Sequence, residues 1–191
     1  VSRGSFLGDL LRLFLRGIPD ATQVFILSGT LRGKKWIKGS GVNGYWLGTY
    51  EKPKQKVFEK IVKQGDVVFD LGAQVGFYTL LASTLAGEKG RIFSFEPVPK
   101  NVFFIRKHLE LNKIKNVTVI EAAVSSKTTS RFQDTLSGFP EFNWGEFFDA
   151  RSVSLDALLE EKKILPPDSI KMDIEGAEEL ALKGAVSILK K

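Results

Sequence analysis

Asp70, Glu96, Asp173 and Glu175 are carboxylates whose spacing in this chain suits chemistry, and the first of them opens a glycine loop. Val67-Val68-Phe69 is apolar and β-branched, as a strand covered on both faces of a parallel sheet must be. Asp70-Leu71-Gly72-Ala73-Gln74-Val75-Gly76 follows, and from Val75 the apolar residues Phe77, Leu80, Leu81 and Leu85 recur at helical spacing. A strand feeding a helix through a glycine turn is the nucleotide-binding element of doubly wound α/β folds. The loop lacks the Gly-Lys-Ser/Thr ending of a phosphate loop, so it offers no lysine for a γ-phosphate and no hydroxyl for Mg²⁺. Nor is it Gly-x-Gly-x-x-Gly. Its form is Asp-x-Gly-x-x-x-Gly, and a carboxylate there repels a pyrophosphate but suits a cationic amino group. Asp70, Gly72, Ala73, Gln74, Gly76 and Phe77 are therefore the candidate binding loop.

Glu96 lies twenty residues past Gly76, at the end of the apolar run Arg91 to Phe95 and just before Pro97. This is the spacing at which an acid takes a ribose hydroxyl, and a carboxylate accepts such bonds strongly. Glu121 and Ala122 end a third run, where an acid or a backbone group can read an adenine amino group. These positions all fall at the carboxyl ends of adjacent strands, the ligand-binding edge of open α/β sheets. An adenosine with a zwitterionic amino-acid tail and no phosphate is S-adenosylmethionine. Asp173 and Glu175 lie at the carboxyl end of a fourth run, Ser169 to Ile174. Strand alternation puts both on one side, as a general base or a shared cation site for an acceptor needs. The alternative is that Asp173 orders the cofactor tail and Glu175 caps the last helix.

The elements that must position these residues alternate. Strands are expected at 24–27, 67–69, 91–96, 116–124 and 169–174. Helices are expected at 54–63, with Val57, Phe58, Ile61 and Val62 inward, at 75–87, at 99–112 with Val102, Ile105 and Leu109 inward, from a Ser154 cap onward, and to near Lys190. The result is an α/β fold with a mostly parallel sheet and right-handed crossovers. Residues 5–16 read as a basic amphipathic helix, packed on the domain or lying on a membrane surface. The glycine-rich stretch 31–48 holds Trp36, Tyr45 and Trp46, either a stacking surface or a plug onto the core. Residues 125–150 read as a long aromatic excursion over the site. Residues 1–50 are expected to form an extension to a binding domain over 51–191.

The chain has 191 residues, a net charge of +6 and no cysteine, so disulfides, thiolate metal sites and a cysteine nucleophile are excluded. His108 is the single histidine, which leaves no pair for a zinc site, and no metal is expected. It reads as a packing or surface residue. The lysines and arginines are read as scattered, which favours a solvated basic surface over a nucleic-acid partner. No apolar run reaches the roughly 18 residues of a membrane span. A cytoplasmic location is expected.

Taken together, Tyr45-Trp46-Leu47-Gly48-Thr49-Tyr50-Glu51, Phe69 to Tyr78, Phe95-Glu96-Pro97, Ser154-Leu155-Asp156 and Lys171-Met172-Asp173-Ile174-Glu175-Gly176-Ala177-Glu178 resemble the FkbM family of S-adenosylmethionine-dependent methyltransferases. The resemblance implies a class I, Rossmann-like methyltransferase fold with helices on both faces of the sheet. It implies O-methylation of a hydroxyl on a glycan, glycolipid or natural product, so a small-molecule or glycan acceptor. Asp70, Gly72 and Gly76 match the family's cofactor loop and Glu96 its ribose acid, while Gln74 stands where the family has Asn. Such folds carry further strands, and an exposed sheet edge is expected where they are absent. The chain has no Asn/Asp-Pro-Pro-aromatic segment, which counts against amino-methylation of adenine. An RNA or protein methyltransferase and a non-catalytic binding domain stay open, as does the oligomeric state.

Overall fold

The structure is a computed structural model, and it describes residues 17–132 and 150–190. The chain divides into two compact units, residues 1–50 and 51–191. The expected helix at 5–16 and most of the excursion at 133–149 lie outside the described residues.

In the first unit, β1 (Gln23–Phe25) and β2 (Lys35–Ile37) form an antiparallel hairpin with Val24 opposite Trp36. The strand is shorter than its apolar run because Leu27 donates its N–H to Trp46 O, outside the hairpin. The short helix α1 (Gly44–Leu47) ends at Gly48, whose positive φ of 71° admits Ser28 against its backbone. Trp36, Tyr45 and Trp46 are buried, with Tyr45 tilted between Trp36 and Tyr50 at 5.5 and 4.5 Å. The aromatics among glycines thus plug a core; they are not an open stacking surface.

The second unit opens with α2 (Lys52–Ile61), started by Pro53, whose missing N–H costs nothing in a first helical turn. It buries Gln55 and Phe58, with Val62 just beyond, whereas Val57 and Ile61 are exposed. The four apolar residues share one broad arc, and packing buries its Phe58 edge and leaves its Val57 and Ile61 edge in solvent. The central sheet follows: β3 (Val67–Leu71), α3 (Phe77–Ala86), β4 (Arg91–Phe95), α4 (Pro99–Leu111) and β5 (Val117–Ile120), then β9 (Ser169–Met172) after the excursion. All neighbours are parallel in the order β5-β4-β3-β9, so the chain winds outward from β3 on one side and returns to its other side. β9 is an edge among the described strands, and the carboxyl end between β3 and β9 is a topological switch point.

The two faces of this sheet differ. Phe69, Leu71, Phe93 and Phe95 alternate onto one face, with Phe69 edge-on to Phe93 and Phe95 at 5.6 and 5.7 Å. They pack with Val153, Leu155 and Leu158, with Ile164, and with Ala181 and Ile188. Each wholly buried aromatic of this kind stabilises by about 2–3 kcal/mol. The second face carries Asp70 and Ser94 and meets Thr79 of α3. α4 buries Val102, Ile105 and Leu109 as the period requires, together with His108.

Two expected elements are divided. The third strand breaks after Ile120, where Ala122 N turns back to Ile120 O, and resumes as β6 (Ala123–Val124) in a separate sheet. There β8 (Ala150–Val153) pairs β6 in parallel and β7 (Thr129–Phe132) antiparallel, so the ends of the excursion form a strand pair. Its exit leads into α5 (Leu155–Glu160), capped by Ser154 Oγ accepting from Ala157 N. The last helix is two short ones, α6 (Glu178–Lys183) and α7 (Val186–Leu189). A Cβ on Gly184 between them would fall 2.1 Å from Ser125 O, so the close approach of the two segments needs glycine there.

Candidate functional site

The loop between β3 and α3 is built from inside. Gly72 N and Ala73 N both donate to Phe95 O at 3.0 Å, which ties the loop to the end of β4. Gly72 has φ 74°, and a Cβ there would stand 2.1 Å from Asp173 O. The glycine therefore admits the neighbouring backbone at the switch point. Gly76 has φ 93° and lies against Ile105 of α4, where a Cβ would sit at 3.3 Å. Gln74 between them is also left-handed, at φ 48°, and its N–H points to Glu96. Val75 O accepts from His108 Nδ1 at 2.9 Å. Burial lowers the His108 pKa to about 4 against that hydrogen bond, so the ring is neutral and serves to hold the loop.

Asp70 is fully buried. In register with it stand Ser94 of β4 and Lys171 of β9, and all three meet Thr79 or Asp70 on one face. Thr79 Oγ1 donates to Asp70 Oδ2 at 2.7 Å and lies 2.9 Å from Ser94 Oγ. Lys171 Nζ is 3.2 Å from Asp70 Oδ1 and donates to Gly72 O at 2.9 Å, over the face of Tyr78 at 5.4 Å. Oδ1 itself has charge compensation at ion-pair distance but no aligned hydrogen bond. The carboxylate is thus held inside the protein beneath the loop.

Glu96 is also buried, and three donors converge on it. Gln74 N reaches Oε2 at 2.8 Å, while Val98 N and Asn101 Nδ2 reach Oε1 at 3.0 and 3.1 Å. Burial pushes its pKa up to about 7; the three donors and nearby Asp70 act in opposite directions with smaller weight. A carboxylate has about four lone-pair directions, so one on Oε2 is left for a ligand hydroxyl. Pro97 follows half-buried, and Phe77 is buried at the start of α3. Glu121 is exposed, 3.3 Å from Arg106, beside fully buried Ala122.

The third cluster follows β9. The strand stops at Met172, so alternation does not govern Asp173 and Glu175; Glu175 sits in a turn at φ 54°. Asp173 is half-buried, its N–H on Leu71 O, and Glu175 is exposed. Slight burial, then the charges of Asp173 and Glu178, raise the Glu175 pKa. Glu178, and not Glu175, satisfies the turn: its oxygens accept from Ile174 N and Gly176 N. Those backbone bonds, led by its own N–H, hold Glu178 below the usual carboxylate range. Among the described residues no group of three metal-ligating side chains is present, and no helix is long and apolar enough to cross a membrane.

Sequence reasoning missed Lys171, Thr79, Ser94 and Asn101. Only the Lys171-x-Asp173 spacing carries a signal, and it becomes legible once β9 is known to lie beside β3.

The methyltransferase FkbM domain matches residues 70–191. Over 131 residues the chain is 24% identical to the hexuronic acid methyltransferase AglP of Haloferax volcanii, covering 67% of this chain and 53% of that protein. Over 113 residues it is 29% identical to the ribosomal RNA large subunit methyltransferase E of Bdellovibrio bacteriovorus, covering 59% of this chain and 39% of that protein. It thus spans about half the length of the first relative and less of the second. A methyltransferase FkbM from Methylobacillus flagellatus superposes with a TM-score of 0.46 at 18% identity, over 78% of this chain and 42% of that one. With the family match covering well over half its length, the chain belongs to the FkbM family of methyltransferases.

Proposed function

We propose that the protein methylates a hydroxyl group, on a glycan, glycolipid or small natural product, at the carboxyl ends of β3, β4 and β9. The observation that carries this reading is the meeting there of acids of three different characters: Asp70 buried and paired, Glu96 buried with a lone pair to spare, and half-buried Asp173 with exposed Glu175. The donor set fits the cofactor. Glu96 suits a ribose hydroxyl, the Asp70 carboxylate and the Gly72 carbonyl are already taken by the Lys171 ammonium, and the stretch from Asp70 to Gly76 holds no cation to take a phosphate. S-adenosylmethionine supplies an electrophilic methyl on a sulfonium, so the protein has to orient the acceptor and exclude water. In this reading Gly72, Ala73, Gln74, Gly76, Phe77 and Pro97 frame the cofactor, and Glu121 and Ala122 flank its base. Asp173 or Glu175 accepts the acceptor's proton, and the raised pKa of Glu175 brings it nearer the working range of a base. The hexuronic acid methyltransferase among the relatives supports a sugar acceptor. A cytoplasmic setting, a binding domain over 51–191 with an extension before it, and no nucleic-acid partner belong to the same proposal.

Calorimetry with S-adenosylhomocysteine, followed by labelled-methyl transfer to uronic-acid glycans, simple alcohols and RNA, tests it. Binding followed by transfer to a hydroxyl of the first two classes is expected. Transfer to RNA alone would replace the acceptor assignment with the class that the ribosomal RNA relative acts on. A folded sample that binds nothing would sink the site.

A further inference from the structure

Lys171 is assigned no role by the family match or by the motif spacing. Yet its ammonium occupies a made position: 3.2 Å from Asp70 Oδ1, 2.9 Å from Gly72 O, and 5.4 Å from the centre of the Tyr78 ring. The Asp70 side chain is wholly buried and that of Lys171 is 15% exposed. The Lys38–Asp20 pair, by contrast, has a partner 77% exposed. Charges there are little screened by solvent or salt, and the pair lies directly under the loop that begins at Gly72.

We propose that Lys171 is a positioning and specificity-determining residue of the cofactor loop: its ammonium holds Gly72 O in place and neutralises Asp70, and so sets how strongly the site prefers the sulfonium cofactor over the neutral thioether product. The inference rests on the loop being the cofactor site. Its physical reason is the direction of charge movement. Methyl transfer removes the positive charge from sulfur. An uncompensated Asp70 carboxylate beneath the loop would favour the charged ground state and oppose the step, because only interactions stronger in the transition state accelerate it. Lys171 cancels that bias while keeping the loop's geometry.

The test is the ratio of the two dissociation constants, S-adenosylhomocysteine over S-adenosylmethionine, measured by calorimetry on the whole chain. Lys171→Gln keeps an N–H for Gly72 O but deletes the charge, and Lys171→Met deletes both. In each the ratio rises about threefold or more. Asp70→Asn leaves the cation uncompensated, and the ratio falls by a similar factor. Lys171→Arg keeps the charge and leaves the ratio within about twofold of wild type. The opposite signs keep the inference testable if one variant does not fold. Equal weakening of both ligands in the Lys171 and Asp70 variants overturns it, since a mere prop for the loop does not distinguish them. Wild-type protein that binds neither ligand overturns the loop assignment, and this inference with it.

Discussion

The carboxyl end of β4 and the carboxyl end of β9 each present acids, and they are built in opposite ways. Glu96 is buried and receives three hydrogen bonds, one from the loop it faces and two from the start of α4. Asp173 and Glu175 are partly or wholly in solvent, and the turn that carries them is satisfied by a third acid, Glu178. A rigid, dehydrated acid suits a ligand that is the same in every turnover. An open pair on a turn suits a second reactant that must enter and leave. The difference teaches that pre-organisation is concentrated in the proposed cofactor half of the site.

The sharpest way to break this contrast is at two glycines, Gly72 in the loop tied to the end of β4 and Gly176 in the turn after β9. Gly72→Ala places a methyl group 2.1 Å from Asp173 O at φ 74°, whereas Gly176→Ala, at φ 97°, meets nothing within 4 Å. The first substitution is expected to destabilise by about 3 kcal/mol or more, from backbone displacement added to the left-handed penalty. The second is expected to cost about 1–2 kcal/mol, the conformational penalty alone. Denaturant midpoints measure both, and similar values would erase the distinction between a packed and an open end.

Catalysis ranks next. Glu175→Gln is expected to lower the methyl-transfer rate about a hundredfold, with S-adenosylhomocysteine affinity unchanged. Loss of affinity in that variant instead would move Glu175 into the cofactor half. Glu96→Gln should do the reverse, weakening S-adenosylhomocysteine at pH 8 about tenfold through loss of a charge-assisted bond.

Titration sharpens the Glu96 side. Ligand hydroxyls favour the ionised carboxylate, so wild-type affinity should rise with pH through about 7, with proton release on binding visible as a buffer-dependent heat. Stability runs the other way. The folded pKa lies above the unfolded one, so the contribution is full below 4.5 and is lost as pH rises through about 7. That decline amounts to roughly 3 kcal/mol. His108 opposes it in part, because its lowered pKa gives stability above 6.5 that is lost as pH falls toward about 4. Glu96→Gln should therefore expose a stability that climbs from acid toward neutral pH, and a profile identical to wild type would show that Glu96 ionises normally. The smallest expected effect is Glu178→Ala, which leaves Gly176 N to solvent and costs about 1 kcal/mol or less.

Much of the fold was legible because parallel strands and their crossover helices write their burial into the chain. Val67 to Phe69, Arg91 to Phe95 and the α4 face through Val102, Ile105 and Leu109 have the expected periods and lie in the elements expected, although β3 runs on through Asp70 to Leu71. The third strand and the last helix were read too long, because apolar runs do not announce the turn at Ala122 or the close approach at Gly184. On α2, four apolar residues share one broad arc, and packing chose which edge of it to bury.

The loop with which the site begins shows the same division. By itself the sequence determined its form, an acid before two glycines with a second acid twenty residues on, because that pattern is local or nearly so. It also pointed to a ligand without phosphate. Only the tertiary structure decided that Asp70 faces Lys171 across a span of a hundred residues, that Gly72 makes room for Asp173 and not only for a ligand, and that His108 is a neutral strut. The reason is strand order: which strand lies beside β3 is set by the packing of the whole sheet, and no short stretch of residues encodes it.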